Sequence, residues 1–258
     1  MALLRVEHKP ESIKVNLPLN ILLPEPGKMG GVPVRQRKLL YLLHGLSDDA
    51  TAWQRYTSVE MLASAYGLVV VMPSVGRSFY ADLHNGQRYF TYLTEELPQY
   101  LADVFDLAPA RADTFIAGNS MGGYGAFKAA LAFPERFAAA ASFSGVLSLA
   151  FLQAIPNDPR RGEFASIFGD LEKLAGSEHD PAVWFSKAAR DPQKLPRLFI
   201  TSGRQEDLHP INRLVYATLQ QLGITVDYHE EDARHDWFNW DGQIRRWLEK
   251  VLGPIPNP

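Results

Sequence analysis

Cysteine is missing from all 258 residues. That absence excludes disulfides, thiol nucleophiles and zinc–thiolate centres. It does not choose a compartment, because secreted chains also do without the residue. Long apolar runs are missing too: none approaches the roughly 20 residues a membrane-spanning helix needs. The stretch from Met1 to His8 turns polar within a few residues and holds no apolar core of signal-peptide length. A cytoplasmic location is therefore expected, with no membrane partner. No basic run exceeds a pair such as Arg160-Arg161, and the net charge is −3. Nucleic acid is not an expected partner either. Repeats and low-complexity segments are also absent.

What remains is the composition of a folded globular chain, 46% hydrophobic and 21% charged. Its length suits one large α/β domain or two small ones. Ser12 to Leu23 alternates apolar and polar residues before Pro24-Glu25-Pro26-Gly27, which predicts an early edge strand closed by a turn. Leu39–Leu43 and Leu68–Met72 are continuous apolar runs, the pattern of strands buried on both faces. Further strands are expected at 114–117, 138–144, 198–202 and 225–228. Helical spacing marks 58–66, 95–105, 123–131, 210–222 and the segment carrying Ile244, Trp247, Leu248, Val251 and Leu252. Strands and helices alternate, so the expected fold is α/β: a mostly parallel, doubly wound sheet with helices on both faces. Residues 150–194 break the rhythm with scattered Pro and Gly, including Pro156. They read as a cap-like insertion of short helices within a single domain spanning 1–258, overhanging the carboxyl edge of the sheet.

Gly118-Asn119-Ser120-Met121-Gly122 lies between a strand and a small-residue helix. A serine at the tip of such a turn has strained backbone angles, and the positions two before and two after it must be small. Glycine fills both. The turn would lift the Ser120 hydroxyl above the sheet and place it at a helix N-terminus, with the Met121 N–H free to bind an oxyanion. A serine hydroxyl needs a base, and the base an orienting acid, in the chain order nucleophile, acid, histidine. The acid slot follows the strand at 198–202, where Glu206 and Asp207 compete; Asp207, nearer the helix start, is favoured. The histidine slot follows the strand at 225–228. His235 in the loop before the final helix is favoured over His229 at the strand end. His209 reads as a helix N-terminal residue. The run His229, Glu230, Glu231, Asp232 and His235 lacks a metal-ligand spacing and reads as an exposed acidic loop, so no metal is expected. His44-Gly45-Leu46, after an early inner strand, would supply a second oxyanion donor, the Leu46 N–H, with His44 supporting the loop. Trp53, Trp184, Phe185 and Trp237 are candidates for the walls of a substrate pocket.

Several motifs together resemble the esterase D family of α/β-hydrolases, and within it the bacterial tributyrin esterases. They are His44-Gly45-Leu46-Ser47-Asp48-Asp49 with Trp53-Gln54-Arg55-Tyr56, then Tyr92-Leu93-Thr94-Glu95-Glu96-Leu97-Pro98, the Ser120 turn through Ala126, and His235-Asp236-Trp237-Phe238-Asn239-Trp240-Asp241. The resemblance implies the α/β-hydrolase fold and catalytic residues Ser120, Asp207 and His235, with oxyanion donors at Leu46 and Met121. It implies a serine carboxylesterase acting on short-chain, small-molecule acyl esters through an acyl-enzyme, without cofactor, and assembled as dimers or tetramers. Related activities are those of S-formylglutathione hydrolase-like thioesterases and of feruloyl or acetylxylan esterases. The cysteine near the site in some S-formylglutathione hydrolases has no counterpart here, which ranks a glutathione thioester below simple esters. The non-enzyme alternative is an inactive hydrolase-like binding module.

Overall fold

The computed structural model describes residues 1–154 and 157–256. Among them one sheet carries eight strands: β1 (Ala2–His8), β2 (Leu17–Leu23), β3 (Leu39–Leu43), β4 (Val69–Pro73), β5 (Thr114–Asn119), β6 (Ala139–Phe143), β7 (Arg197–Gly203) and β8 (Val226–Glu231). Their spatial order is β1-β2-β4-β3-β5-β6-β7-β8. The β1–β2 and β2–β4 pairings are antiparallel, and the remaining pairings are parallel. The helices are α1 (Ala52–Tyr56), α2 (Val59–Tyr66), α3 (Tyr89–Thr91), α4 (Leu97–Phe105), α5 (Met121–Ala132), α6 (Phe151–Ala154), α7 (Arg161–Phe168), α8 (Pro181–Ala188), α9 (His209–Gln221) and α10 (Trp237–Leu252).

The apolar runs form strands because both faces of the sheet are covered. Leu39, Tyr41 and Leu43 of β3 join a core with α4, α5 and α9, while Leu40 and Leu42 join a second core with α2 and α10. Each buried leucine or valine contributes roughly 1.5–3 kcal/mol. The final helix buries Ile244, Trp247 and Leu248 on one stripe, as its spacing predicts.

The structure corrects the expected edge. Of the segment 12–23 only Leu17–Leu23 is a strand, and it is interior. β1 pairs along its outer side in full register, from Ala2 with Leu23 to His8 with Leu17. Residues before β2 turn instead: the Ile13 and Lys14 N–H groups both donate to the Pro10 carbonyl, and Lys14 has φ 65°. The helix expected at 95–105 starts irregularly. A π-helical turn, Tyr92–Glu96, precedes α4, and Pro98, which has no N–H to donate, lies in the first turn.

Between β6 and β7 lie α6, α7 and α8; residues 155 and 156 of this segment lie outside the described part. The segment is tied down. Arg77 pairs with Glu163, the Tyr124 hydroxyl donates to the His179 carbonyl at 2.8 Å, and Trp184 meets the Tyr124 ring edge-on at 4.8 Å. Phe79 packs against Phe164 at 5.7 Å and Phe168 at 5.5 Å. Among the described residues no helix is long and apolar enough to cross a membrane.

Helix α5 and strand β3 approach each other closely at Gly122. A Cβ there would lie 2.7 Å from the Leu43 carbonyl carbon and 2.9 Å from the His44 oxygen. Both are backbone atoms that cannot swing aside. Gly122→Ala is expected to destabilise by roughly 1–3 kcal/mol and to lower Tm by several degrees. Gly162→Ala, in α7 with nothing within 4 Å of an added Cβ, should not. Thermal melts of the two variants check this, and equal Tm values would contradict it.

Candidate active site

Parallel strands deliver their carboxyl ends to one edge of the sheet, and five neighbouring strands deliver the candidate residues. Ser120 follows β5 with φ 52° and ψ −115°, a region that non-glycine residues occupy only when surrounding bonds hold them there. Here they do. The Ser120 N–H donates to the Phe143 carbonyl at 2.9 Å. Its own carbonyl receives the N–H groups of Gly123 at 3.0 Å, Tyr124 at 3.3 Å and Val146 at 3.2 Å. The side chain is thereby aimed off the end of the sheet.

His235 sits in the loop after β8. Its Nε2 lies 3.0 Å from Ser120 Oγ, and its Nδ1 lies 2.9 Å from Glu206 Oε2. A carboxylate only accepts, so Nδ1 carries the proton and Nε2 is left to accept from the serine hydroxyl. The acid in contact is therefore Glu206. Asp207, expected from the sequence, is exposed and turned to solvent. Glu206 has a fully buried side chain, and its Oε1 receives the Ser144 hydroxyl at 2.6 Å, the Asn239 amide at 3.2 Å and the Gly203 N–H. Burying an anion is tolerable only with such a set of donors. The extra methylene of glutamate lets the side chain fold back onto its own loop at Gly203, while the next residue points outward.

A second layer fixes those donors. Asn239 also donates to the Arg234 carbonyl at 3.0 Å and accepts from Gln243 at 2.7 Å, and Gln243 in turn accepts from Thr201 at 2.5 Å. Ser144 Oγ accepts the Trp240 indole N–H at 3.1 Å, and Trp240 meets the His235 ring edge-on at 4.9 Å. Ser144 and Gln243 belong to no motif singled out in the sequence, and Asn239 and Trp240 enter only as members of the His235–Asp241 motif, with no role given to them. Asn239 and Gln243 sit where α10 turns inward, and an amide on the apolar stripe of a helix is the one signal that could have found them.

The loop after β3 is held by a neutral histidine. His44 Nδ1 donates to the Gly45 carbonyl at 2.7 Å, and Nε2 accepts the Val75 N–H at 3.0 Å. The Tyr80 hydroxyl donates to the His44 carbonyl at 3.1 Å. With one nitrogen donating and one accepting, the ring has no place for a second proton. Burial pushes its pKa down to about 4. Asp48, not singled out from the sequence, lies over Gly45; a Cβ at Gly45 would be 2.8 Å from its Oδ2. Burial raises the Asp48 carboxyl, against the opposing pull of the Gly45 N–H. Leu46 follows, half-buried. Met121 begins α5, where the first N–H groups have no acceptor within the helix.

The four aromatic candidates divide. Trp184 and Phe185 are core residues, the Trp184 N–H donating to the Glu178 carbonyl at 2.7 Å. Trp53 is buried as well, with its N–H on the Leu43 carbonyl at 2.9 Å. Trp237 alone is half-exposed, meeting Trp53 at 5.1 Å, Trp240 at 5.0 Å and the exposed Tyr56 at 5.3 Å. Of the other histidines, His209 opens α9 and contacts Glu230 at 2.8 Å, and His229 lies within β8 opposite Thr201.

The Esterase family model matches residues 11–250. An acetyl esterase from Caldicellulosiruptor saccharolyticus is 30% identical over 97% of this chain and 99% of its own length. Among solved structures, the fluorophosphonate-binding serine hydrolase F (FphF) of Staphylococcus aureus, substrate bound, superposes with a TM-score of 0.89 at 32% identity, covering 98% of this chain and 99% of that one. The S-formylglutathione hydrolase FrmB of Staphylococcus aureus superposes with a TM-score of 0.86 at 33% identity, covering 97% and 98%. The sheet order and the helices on both faces are those of the α/β-hydrolase fold.

The buried neutral histidines generate a pH dependence of stability. His44 and His179 are both pushed down to about 4 by burial, and His8 and His229 are lowered in the same way. The unfolded chain takes up these protons near pH 6.5 and the folded chain does not, so stability falls as pH drops from 6.5 towards 4. His44 alone accounts for on the order of 3 kcal/mol across that window. Asp48, raised by burial, works in the opposite sense but is one group against four. Urea midpoints measured from pH 7 to pH 5 should fall; a flat profile would contradict the neutral assignment.

Proposed function

The chain belongs to the esterase family and is a carboxylic ester hydrolase, and we propose that Ser120, His235 and Glu206 are the triad through which it works. The observation that supports this is the unbroken line of contacts, 3.0 Å from Ser120 to His235 and 2.9 Å from His235 to Glu206. Ser120 Oγ attacks the ester carbonyl carbon while His235 Nε2 takes its proton. Glu206 holds the Nδ1–H tautomer and stabilises the imidazolium. The N–H groups of Leu46 and Met121 bind the oxyanion, each contributing roughly 2.7–4 kcal/mol to the transition state. Collapse of the tetrahedral adduct breaks the C–O bond, and His235 returns the proton to the leaving alcohol. Water then attacks the acyl-serine with His235 as base, releasing the acid and restoring Ser120.

The substrate class is short-chain acyl esters of small alcohols. The similarity to an acetyl esterase supports the short acyl group. So does the segment between β6 and β7, which we read as a cap on a single domain spanning 1–258, because it is pinned to α5 and to the loop after β4. Trp237 with Tyr56 offers an exposed aromatic face for the alcohol side. A thioester reading rests on the similarity to the S-formylglutathione hydrolase FrmB. The same proposal places the enzyme in the cytoplasm and pairs copies as dimers or tetramers, a point sedimentation would decide.

Two measurements test it. Ser120→Ala should abolish the p-nitrophenol burst from p-nitrophenyl acetate, and Glu206→Gln should lower kcat by about 10³–10⁴-fold. Asp207→Asn should stay within about twofold of the parent enzyme; the reverse ranking would return the acid role to Asp207. Across p-nitrophenyl esters from C2 to C12, kcat/KM should be highest at the short end, and a C12 preference would contradict the cap reading.

A further inference from the structure

The amino ends of the strands, opposite Ser120, enclose a cavity of about 330 Å³. Its floor is two paired positions on adjacent strands, Leu39 with Thr114 and Tyr41 with Ile116. Leu93, Leu107, Ala129 and Phe137 complete apolar walls. Thr114 and Ile116 lie six and four residues before Ser120 on an extended strand, so the floor is roughly 13–20 Å from the serine. The volume falls near the lower end of the roughly 300–1,000 Å³ range of small-molecule sites.

Two polar groups on this apolar shell could meet a ligand, the Tyr41 hydroxyl and the Arg136 guanidinium. Tyr41 is 6% exposed, and its hydroxyl makes no hydrogen bond among the described residues. The hydroxyl is not among the sealed, unpartnered polar atoms of the interior; it opens onto the cavity, where it is free to donate to an occupant. Arg136 stands at the mouth with its guanidinium 4.1 Å over the Phe133 ring, donating to the Thr94 carbonyl and near enough to Tyr41 for its charge to act on the phenol. The other guanidinium on the cavity, Arg111, is already committed to the carbonyls of Pro134, Phe137, Lys194 and Leu195. Glu135, exposed and 3.5 Å from Arg136, offsets part of the positive charge. The mouth is therefore only mildly cationic, and a ligand must bring apolar area as well as a negative head.

We propose that this cavity binds a medium-chain carboxylate, its head accepting the Tyr41 hydroxyl beside Arg136 and its chain lying along Leu93, Leu107 and Ile116. The apolar walls give the chain an area that a bare anion would not use. Phenol and guanidinium supply the donors that a carboxylate accepts.

Calorimetric titration with sodium octanoate tests the site on the intact protein and on two variants. Saturable binding should persist in Ser120→Ala, which removes the hydroxyl at the opposite edge of the sheet. It should weaken about 10- to 100-fold in Tyr41→Phe, the effect of losing one hydrogen bond to a charged group. Tyr41→Phe should melt at or above the parent temperature, because it removes only an unpartnered hydroxyl. Octanol should bind more weakly than octanoate. Absence of saturable binding, equal affinity in Tyr41→Phe, loss of binding in Ser120→Ala, or octanol binding as tightly as octanoate would each overturn the assignment.

Discussion

The strained backbone of Ser120 is the constraint around which the active edge is arranged. A φ of 52° on a residue with a side chain costs on the order of 1–3 kcal/mol and relaxes unless neighbours forbid it. The neighbours are β6, whose Phe143 carbonyl takes the serine N–H, and the turn at Val146, which donates back. Both bonds require β5, β6 and α5 to approach closely, and Gly118 and Gly123 permit that approach. The nucleophile turn is thus fixed by packing of the central sheet, and the flanking loops need only bring their groups to it.

Those loops are fixed by polar networks of two kinds. Around Glu206 a buried acid gathers donors from the end of β6, its own loop and α10, so that three elements meet at one carboxylate. Around His44 a neutral ring bridges the loop after β3 to Val75 in the loop after β4. One network stabilises a negative group and the other excludes a positive one. The site is therefore electrostatically asymmetric before any substrate arrives.

Much of this was legible in the sequence. The runs at Leu39–Leu43 and Leu68–Met72, the Ser120 turn and the stripe on α10 obey periodicities that follow directly from backbone geometry. β1 was not, because a short edge strand half-open to solvent has too little apolar alternation to separate it from a polar terminus. Glu206 was not chosen over Asp207, because two adjacent carboxylates in a loop have no periodicity to say which faces inward. Trp184 and Phe185 could not be told from site residues, since aromatic side chains fill cores and line pockets alike. The amides of Asn239 and Gln243 acquire meaning only when α10 is seen to present them to Glu206.

The order of the strands also has a consequence in time. Ser120 and His235 are separated by 115 residues, and Glu206 lies between them, 29 residues before His235. Synthesis delivers the loop at Leu46 first, then Ser120, then Glu206, and His235 last, after β8. A partly made chain carrying the Ser120 turn lacks the imidazole that lies 3.0 Å from its hydroxyl in the finished fold. That contact waits for the loop after β8 to reach the edge of the sheet, so the line from Ser120 to Glu206 cannot assemble on a chain that stops short of it.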